Sequence, residues 1–172
     1  TLCTYIVKND SGLAPNPFWR YCTLAVCTPN HMGVKPKGDE FWIAGFSEKE
    51  HGNKLVYAMR VDEFMGFNEY YNDPRFAKKK PNIRGTWRQI PGDNMYYLDA
   101  SGDWKQHKTI YHTKTDEIAK DLKYPKVFIS KHYFYFGEKA VPVPQFSSLI
   151  HKRQGVKCDH DETDVTKFLD WL

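Results

Sequence analysis

A chain of 172 residues is near the usual size of a single domain, and one hydrophobic core is enough for it. Its 41% apolar and 27% charged residues are ordinary for a folded protein, while a net charge of +4 and a pI near 8.7 are too mild for a dedicated duplex-DNA binder and still suit an anionic partner such as a nucleotide. The aromatic share, 16%, is high: either a β-rich core is filled with Tyr and Phe, or flat surfaces are kept for a stacking ligand.

The opening residues Leu2 to Lys8 alternate and are rich in β-formers, which predicts a strand ended by the turn Asn9-Asp10-Ser11-Gly12. Ala14-Pro15-Asn16-Pro17-Phe18 is expected to be a stiff extended loop, because each proline restrains itself and the residue before it. Tyr21 to Cys27 reads as a strand, and Pro29 to Lys37, with Gly33 and Pro36, supports at most a turn of helix before Gly38-Asp39. Glu40 to Phe46 and Lys54 to Asp62 are strands whose short charged connection, Ser47 to Asn53, makes them an antiparallel hairpin. Phe67, Tyr70 and Tyr71 mark one face of a short helix stopped at Asp73-Pro74.

From Arg75 to Arg88 the chain interleaves Lys78, Lys79, Lys80, Arg84 and Arg88 with Trp87, a solvated loop or a phosphate-contacting segment without sequence-specific readout. Met95 to Leu98 and Trp104 flank a hairpin tip, Thr113 to Lys123 is loosely helical at best, and Lys126 to Ser130 is a strand. Asp161 is placed to cap a final helix with Val165, Phe168, Leu169 and Leu172 on one face. The connections are hairpin-length and lack long helix-strand alternation. The expected fold is therefore a single α+β domain over 1–172, a small partly open mixed or antiparallel β-barrel flanked by a few short helices.

No run of about 18 apolar residues and no basic leader with a cleavage site occur, so the chain is expected to be cytoplasmic, neither secreted nor membrane-spanning. The cysteines at 3, 22, 27 and 158 form no CxxC pair and are expected to be free thiols. Within one strand, Cys22 and Cys27 would point to opposite faces; only a loop geometry with His31 would make a zinc site, so neither metal nor cofactor is expected. Phosphate loops, dinucleotide fingerprints, HExxH, GxSxG and the zinc-deaminase signature are all missing.

Three clusters carry polar chemistry: Asn9, Asp10 and Asn16 around the first turn; Trp42 with Gly45 beyond it; and Asp93, Asn94 with His112. Each has an ordinary structural reading as turn, core or isolated histidine. Cys158-Asp159-His160-Asp161-Glu162 looks like a metal cluster, but acid placement at a helix start accounts for it.

The ordered segments Tyr5-Ile6-Val7-Lys8-Asn9-Asp10, Ala14-Pro15-Asn16-Pro17-Phe18, Cys22-Thr23-Leu24-Ala25, Gly38-Asp39, Leu55 to Val61, Asp73-Pro74-Arg75-Phe76, Gly92-Asp93-Asn94 and Ile129-Ser130 resemble the bacterial and phage family called nucleotide-modification-associated domain, second type. The resemblance implies a context of modified-base synthesis or handling and no particular reaction. The layout is also similar, more distantly, to the PUA-like EVE and YTH modules, small open barrels that hold modified bases in an aromatic cage. Together these imply a partner that is a nucleotide or nucleic acid carrying a modified base. Trp42, Tyr21 or Phe46 would stack, and Asn9, Asp10, Asn16, Phe18, Gly45, Asn94 and Ser130 would complete the ligand site. The alternative is a base-modifying enzyme using Asp10 as general base or Cys22 as nucleophile; a third reading is a structural subunit whose aromatics are all core.

Overall fold

A computed structural model of the chain describes residues 1–27, 34, 40–153 and 155–172. His31, the turn expected over 29–37 apart from Val34, and the Gly38-Asp39 pair lie outside these residues. The strands are β1 (Leu2–Val7), β2 (Cys22–Leu24), β3 (Trp42–Ser47), β4 (Leu55–Arg60) and β5 (Glu63–Gly66). They continue as β6 (Tyr96–Leu98), β7 (Trp104–Gln106), β8 (Lys126–Ser130), β9 (His132–Tyr135) and β10 (Val156–Lys157). The α-helices are α1 (Phe67–Asn72), α2 (Thr115–Leu122) and α3 (Glu162–Trp171). The chain is thus a mixed α+β protein with several sheets and few helices, and it divides into two compact units.

The first unit comprises the described parts of Thr1–Asp10, Val34–Asp62 and His132–Leu172. Its sheet has the order β10-β1-β3-β4-β9. The expected hairpin is present, with β3 and β4 antiparallel from Trp42 opposite Arg60 to Phe46 opposite Leu55, and a bulge at Gly45/Phe46. β1 runs parallel to β3, from Leu2 beside Trp42 to Val7 beside Ser47, which makes the sheet mixed. Leu2, Trp42, Phe46, Leu55, Phe146 and Phe168 fill one core of this unit, on which Val165 and Leu169 of α3 and the following Leu172 also pack. Asp161 caps α3 as the sequence predicts, its Oδ1 accepting from the Thr163 and Asp164 amides at 2.9 and 3.2 Å.

The expectation of four free thiols is overturned here. β10 pairs antiparallel with β1, Thr4 opposite Lys157, so Cys158 arrives beside Cys3 and the two form a disulfide with Cα atoms 4.2 Å apart. Cys22 and Cys27 remain free. The expectation of four free thiols had assumed a reducing compartment, in which such a bridge is rare.

The second unit comprises the described parts of Ser11–Gly33 and Glu63–Lys131. It holds the antiparallel sheet β2-β8-β5 and the β6-β7 hairpin, packed around Leu13, Val26, Phe67, Phe76, Tyr96 and Ile129. The stretch expected to be only loosely helical forms α2, because Ile118 and Leu122 find partners on this core and supply the tertiary support that a short polar helix lacks in isolation. Every sheet keeps two edge strands, and β10 and β2 are only two and three residues long. Among the described residues no sheet closes into a barrel.

A candidate cysteine–histidine–aspartate site

β2 ends at Leu24, where Ala25 and Val26 dive into the core of the second unit and the chain then emerges at Cys27. Cys27 is exposed and has a φ of 66°. A non-glycine residue in the left-handed region costs of the order of 1–3 kcal/mol and persists only where the surroundings enforce it. His112 has the same sign of φ, 51°. It sits between β7 and α2 in a loop fixed by Gln106, whose Nε2 donates to the His112 carbonyl at 2.9 Å.

These two residues meet: Cys27 Sγ lies 2.8 Å from His112 Nε2. The other ring nitrogen, Nδ1, makes a short contact with Oδ2 of Asp121. Asp121 is on α2, three residues after Ile118 and one before Leu122, so helical periodicity turns it inward with the apolar face. There it is buried and also accepts from the Tyr96 hydroxyl at 2.7 Å and, more loosely, from the Cys27 amide at 3.4 Å. Burial first, and then the Asp121 charge, push the Tyr96 phenol well above its usual range, so it stays a donor that fixes the carboxylate.

A thiol, an imidazole and a carboxylate in this order are the parts of an activated nucleophile. Burial is the largest influence on His112 and favours the neutral ring. The hydrogen bonds to Asp121 and Cys27, with their charges, together outweigh it and raise the ring to about 10.

A second network lies in the interior of the same unit. Lys79 Nζ donates to the Asn16 carbonyl at 3.0 Å, to Asn16 Oδ1 at 2.7 Å and to the Tyr21 carbonyl at 3.0 Å. Asp93 accepts from Thr23 at 2.6 Å and Tyr70 at 2.8 Å, and Asn94 donates to the Tyr70 and Phe76 carbonyls. Burial, opposed by the Asp93 and Cys22 charges, lowers the Lys79 ammonium to about 8. Asp93 is raised by burial, against the pull of Lys79, Thr23 and Tyr70. The effect is to pin the proline-flanked loop and β2, the strand from which Cys27 emerges.

The residues singled out from the sequence fall into different settings. His112 pairs with Cys27 and Asp121 rather than with Asp93 and Asn94. Cys22, Asn16, Phe46, Asn94 and Ser130 are essentially without surface, and Trp42 is 7% exposed, its ring edge-on to His132 at 5.4 Å. The close approach permitted by Gly45 is to its own neighbours: an added Cβ would lie 2.5 Å from both Tyr57 and Val7. Asn9 is exposed, and Asp10 accepts from Tyr135 at 2.7 Å. Phe18 is half-buried and edge-on to Trp87 at 5.4 Å, and Tyr21 is edge-on to Phe76.

In the basic segment, Lys78 lies over Trp19, Lys80 over Tyr71 and Arg88 over Trp87, with Arg84 exposed; Lys79 alone is turned inside. Lys78, Lys80 and Arg84 line a recess of about 640 Å³ together with His107 and Lys108. Among the described residues no three metal-ligating side chains are arranged to hold a metal ion, and no helix is long and apolar enough to cross a membrane.

Sequence reading missed the site because its members lie 85 and 9 residues apart and match no signature. One signal was available: Asp121, a carboxylate on the inward face of an amphipathic helix, needs a partner.

Comparison with curated proteins and with solved structures found no match. A family described as nucleotide modification associated domain 2 matches residues 1–172, the whole chain. The resemblance noted in the ordered segments is therefore membership: the chain belongs to the nucleotide modification associated domain 2 family.

Proposed function

We propose that the chain is a thiol-dependent enzyme acting on a nucleotide or on a base of nucleic acid, with Cys27 as nucleophile, His112 as the group that holds and returns its proton, and Asp121 as the residue that orients the ring. The observation that carries this reading is the contact of Cys27 Sγ with His112 Nε2 while Asp121 occupies Nδ1. In the step it supports, Sγ bonds to an electron-poor sp² carbon of the base or of an acyl group. The displaced π pair moves to the attached oxygen or nitrogen, and the proton that left sulfur, kept on Nε2, is delivered to that atom or to a departing group. The recess with Lys78, Lys80, Arg84 and Lys108 is in the same unit and suits the phosphates of such a substrate.

The aromatic-cage reading has less to work with, since Asn16, Trp42, Gly45, Phe46, Asn94 and Ser130 are buried. Neither unit is contiguous in sequence, which supports treating the chain as one domain.

The test is the rate at which iodoacetamide alkylates Cys27 in the folded, unreduced protein, located by peptide mapping. Wild-type Cys27 is expected to react at least about ten-fold faster at pH 7 than the same thiol in His112→Ala, because the variant lacks the ring nitrogen that takes the thiol's proton as the thiolate attacks. Equal rates in the two proteins would sink the proposal.

A further inference from the structure

A cleft in the first unit, about 1300 Å³, is lined by the cationic side chains of Lys8, Lys49, Lys152, Arg153 and Lys157, with His151 nearby. Among the described residues two carboxylates, Glu48 and Asp159, share the lining. The lining thus carries five cationic side chains against two carboxylates. None of the five cations takes part in an ion pair among the described residues. Gathering unpaired like charges in a concavity is unfavourable without an anion and raises the local concentration of one.

The cleft also has a rigid side. Lys157 and Asp159 flank Cys158, which is bridged to Cys3; Lys157 pairs across the ladder with Thr4; and Thr4 Oγ1 lies 3.1 Å from His160 Nε2. Three separate ties thus hold the 157–160 segment to β1. Ile6, Ile150 and Val156 add an apolar surface among the cations, and a single phosphate would leave most of the volume unfilled.

We propose that this cleft binds several linked phosphates, those of a nucleoside triphosphate or of a single-stranded nucleic-acid backbone, with sugar or base against the apolar residues. The site is distinct from the Cys27 centre and rests on different residues.

The experiment measures binding of a fluorescent oligothymidylate to the full, disulfide-intact chain by anisotropy across a salt series, with sodium tripolyphosphate as competitor. The triple variant Lys152→Gln, Arg153→Gln, Lys157→Gln is expected to bind about ten-fold or more weakly. Its slope of log affinity against log salt should be shallower by roughly 2, since each phosphate contact on a single strand contributes about 0.7. The pair Lys8→Gln, Lys49→Gln should lose affinity in the same direction, which guards against misfolding of the triple variant. Displacement by tripolyphosphate assigns the cleft to nucleotide phosphates, and failure of displacement assigns it to the polymer backbone. The proposal is overturned if the wild type shows no salt-dependent binding, or if Lys78→Gln, Lys80→Gln, Arg84→Gln removes the binding while the cleft variants keep it. Alkylation of Cys27 in the cleft variants should stay at the wild-type rate, so failure of either proposal is read separately.

Discussion

Asp121→Asn is the sharpest perturbation of the Cys27 centre, because it keeps the shape and one acceptor oxygen while deleting the charge that His112 faces. A hydrogen bond to a charged group is worth about 1.5–3 kcal/mol. At about 1.4 kcal/mol per pH unit this lowers the His112 midpoint from its raised value near 10 by roughly one to two units. The same loss, felt by the Cys27–His112 pair, should slow alkylation of Cys27 at pH 7 by about ten- to a hundred-fold.

Two assays check it: imidazole proton shifts in an NMR titration, and alkylation rates from pH 5 to 10. The sign for stability follows from the raised midpoint. His112 contributes stability that is fully present below the ordinary histidine value of about 6.5 and is lost as pH rises through about 10, so unfolding midpoints in urea should fall over that window in wild type and fall less in the variant. If Asp121→Asn leaves the alkylation rate within two-fold and the His112 midpoint in place, the carboxylate does not act through the ring.

Unfolding in denaturant without reductant should expose two titratable thiols, Cys22 and Cys27, and not four; Cys3→Ser with Cys158→Ser should cost about 2–5 kcal/mol of stability, because the bridge closes a long loop, and an unchanged urea midpoint would remove it from the folded protein. Lys79→Met should destabilise by about 1–3 kcal/mol for each carbonyl or amide oxygen of Asn16 and Tyr21 left unsatisfied, whereas Lys78→Gln and Lys80→Gln should change stability by less than about 0.5 kcal/mol; comparable urea midpoints for all three variants would contradict the burial of Lys79.

What was legible in the sequence was local. The strand at Leu2–Val7, the β3-β4 hairpin, the turn between β6 and β7, and the Asp161 cap with its apolar stripe all rest on residues a few positions apart, and each appears where it was expected, although β1, β3 and β4 are buried on both faces rather than alternating. The barrel expectation came from connection lengths, which say which strands are neighbours and nothing about closure. Cys22 and Cys27 were compared as residues of one strand, yet that strand stops at Leu24, so the parity argument had no purchase on Cys27. The disulfide hangs on β10, two residues without any periodic signal, and the interior places of Asn16 and Lys79 depend on partners more than 60 residues apart. Trp42 followed the ordinary rule that a large aromatic on a strand buried on both faces fills the core.

The strand order β10-β1-β3-β4-β9 also has a consequence for biosynthesis. A ribosome delivers β1 long before β10, so one flank of β1, the strand carrying Leu2, Cys3 and Tyr5, has no ladder partner until Val156 and Lys157 have been made. An apolar strand with open backbone donors and acceptors is a template for pairing with other chains. Cys3 likewise meets Cys158 only after the segment ending at Cys158, 155 residues further on, has left the exit tunnel. Oxidation of this pair is therefore a late event that locks a sheet already assembled, and a nascent chain stalled before residue 156 presents a bare β1 flank and a reduced Cys3 to whatever chaperone or neighbouring polypeptide is at hand.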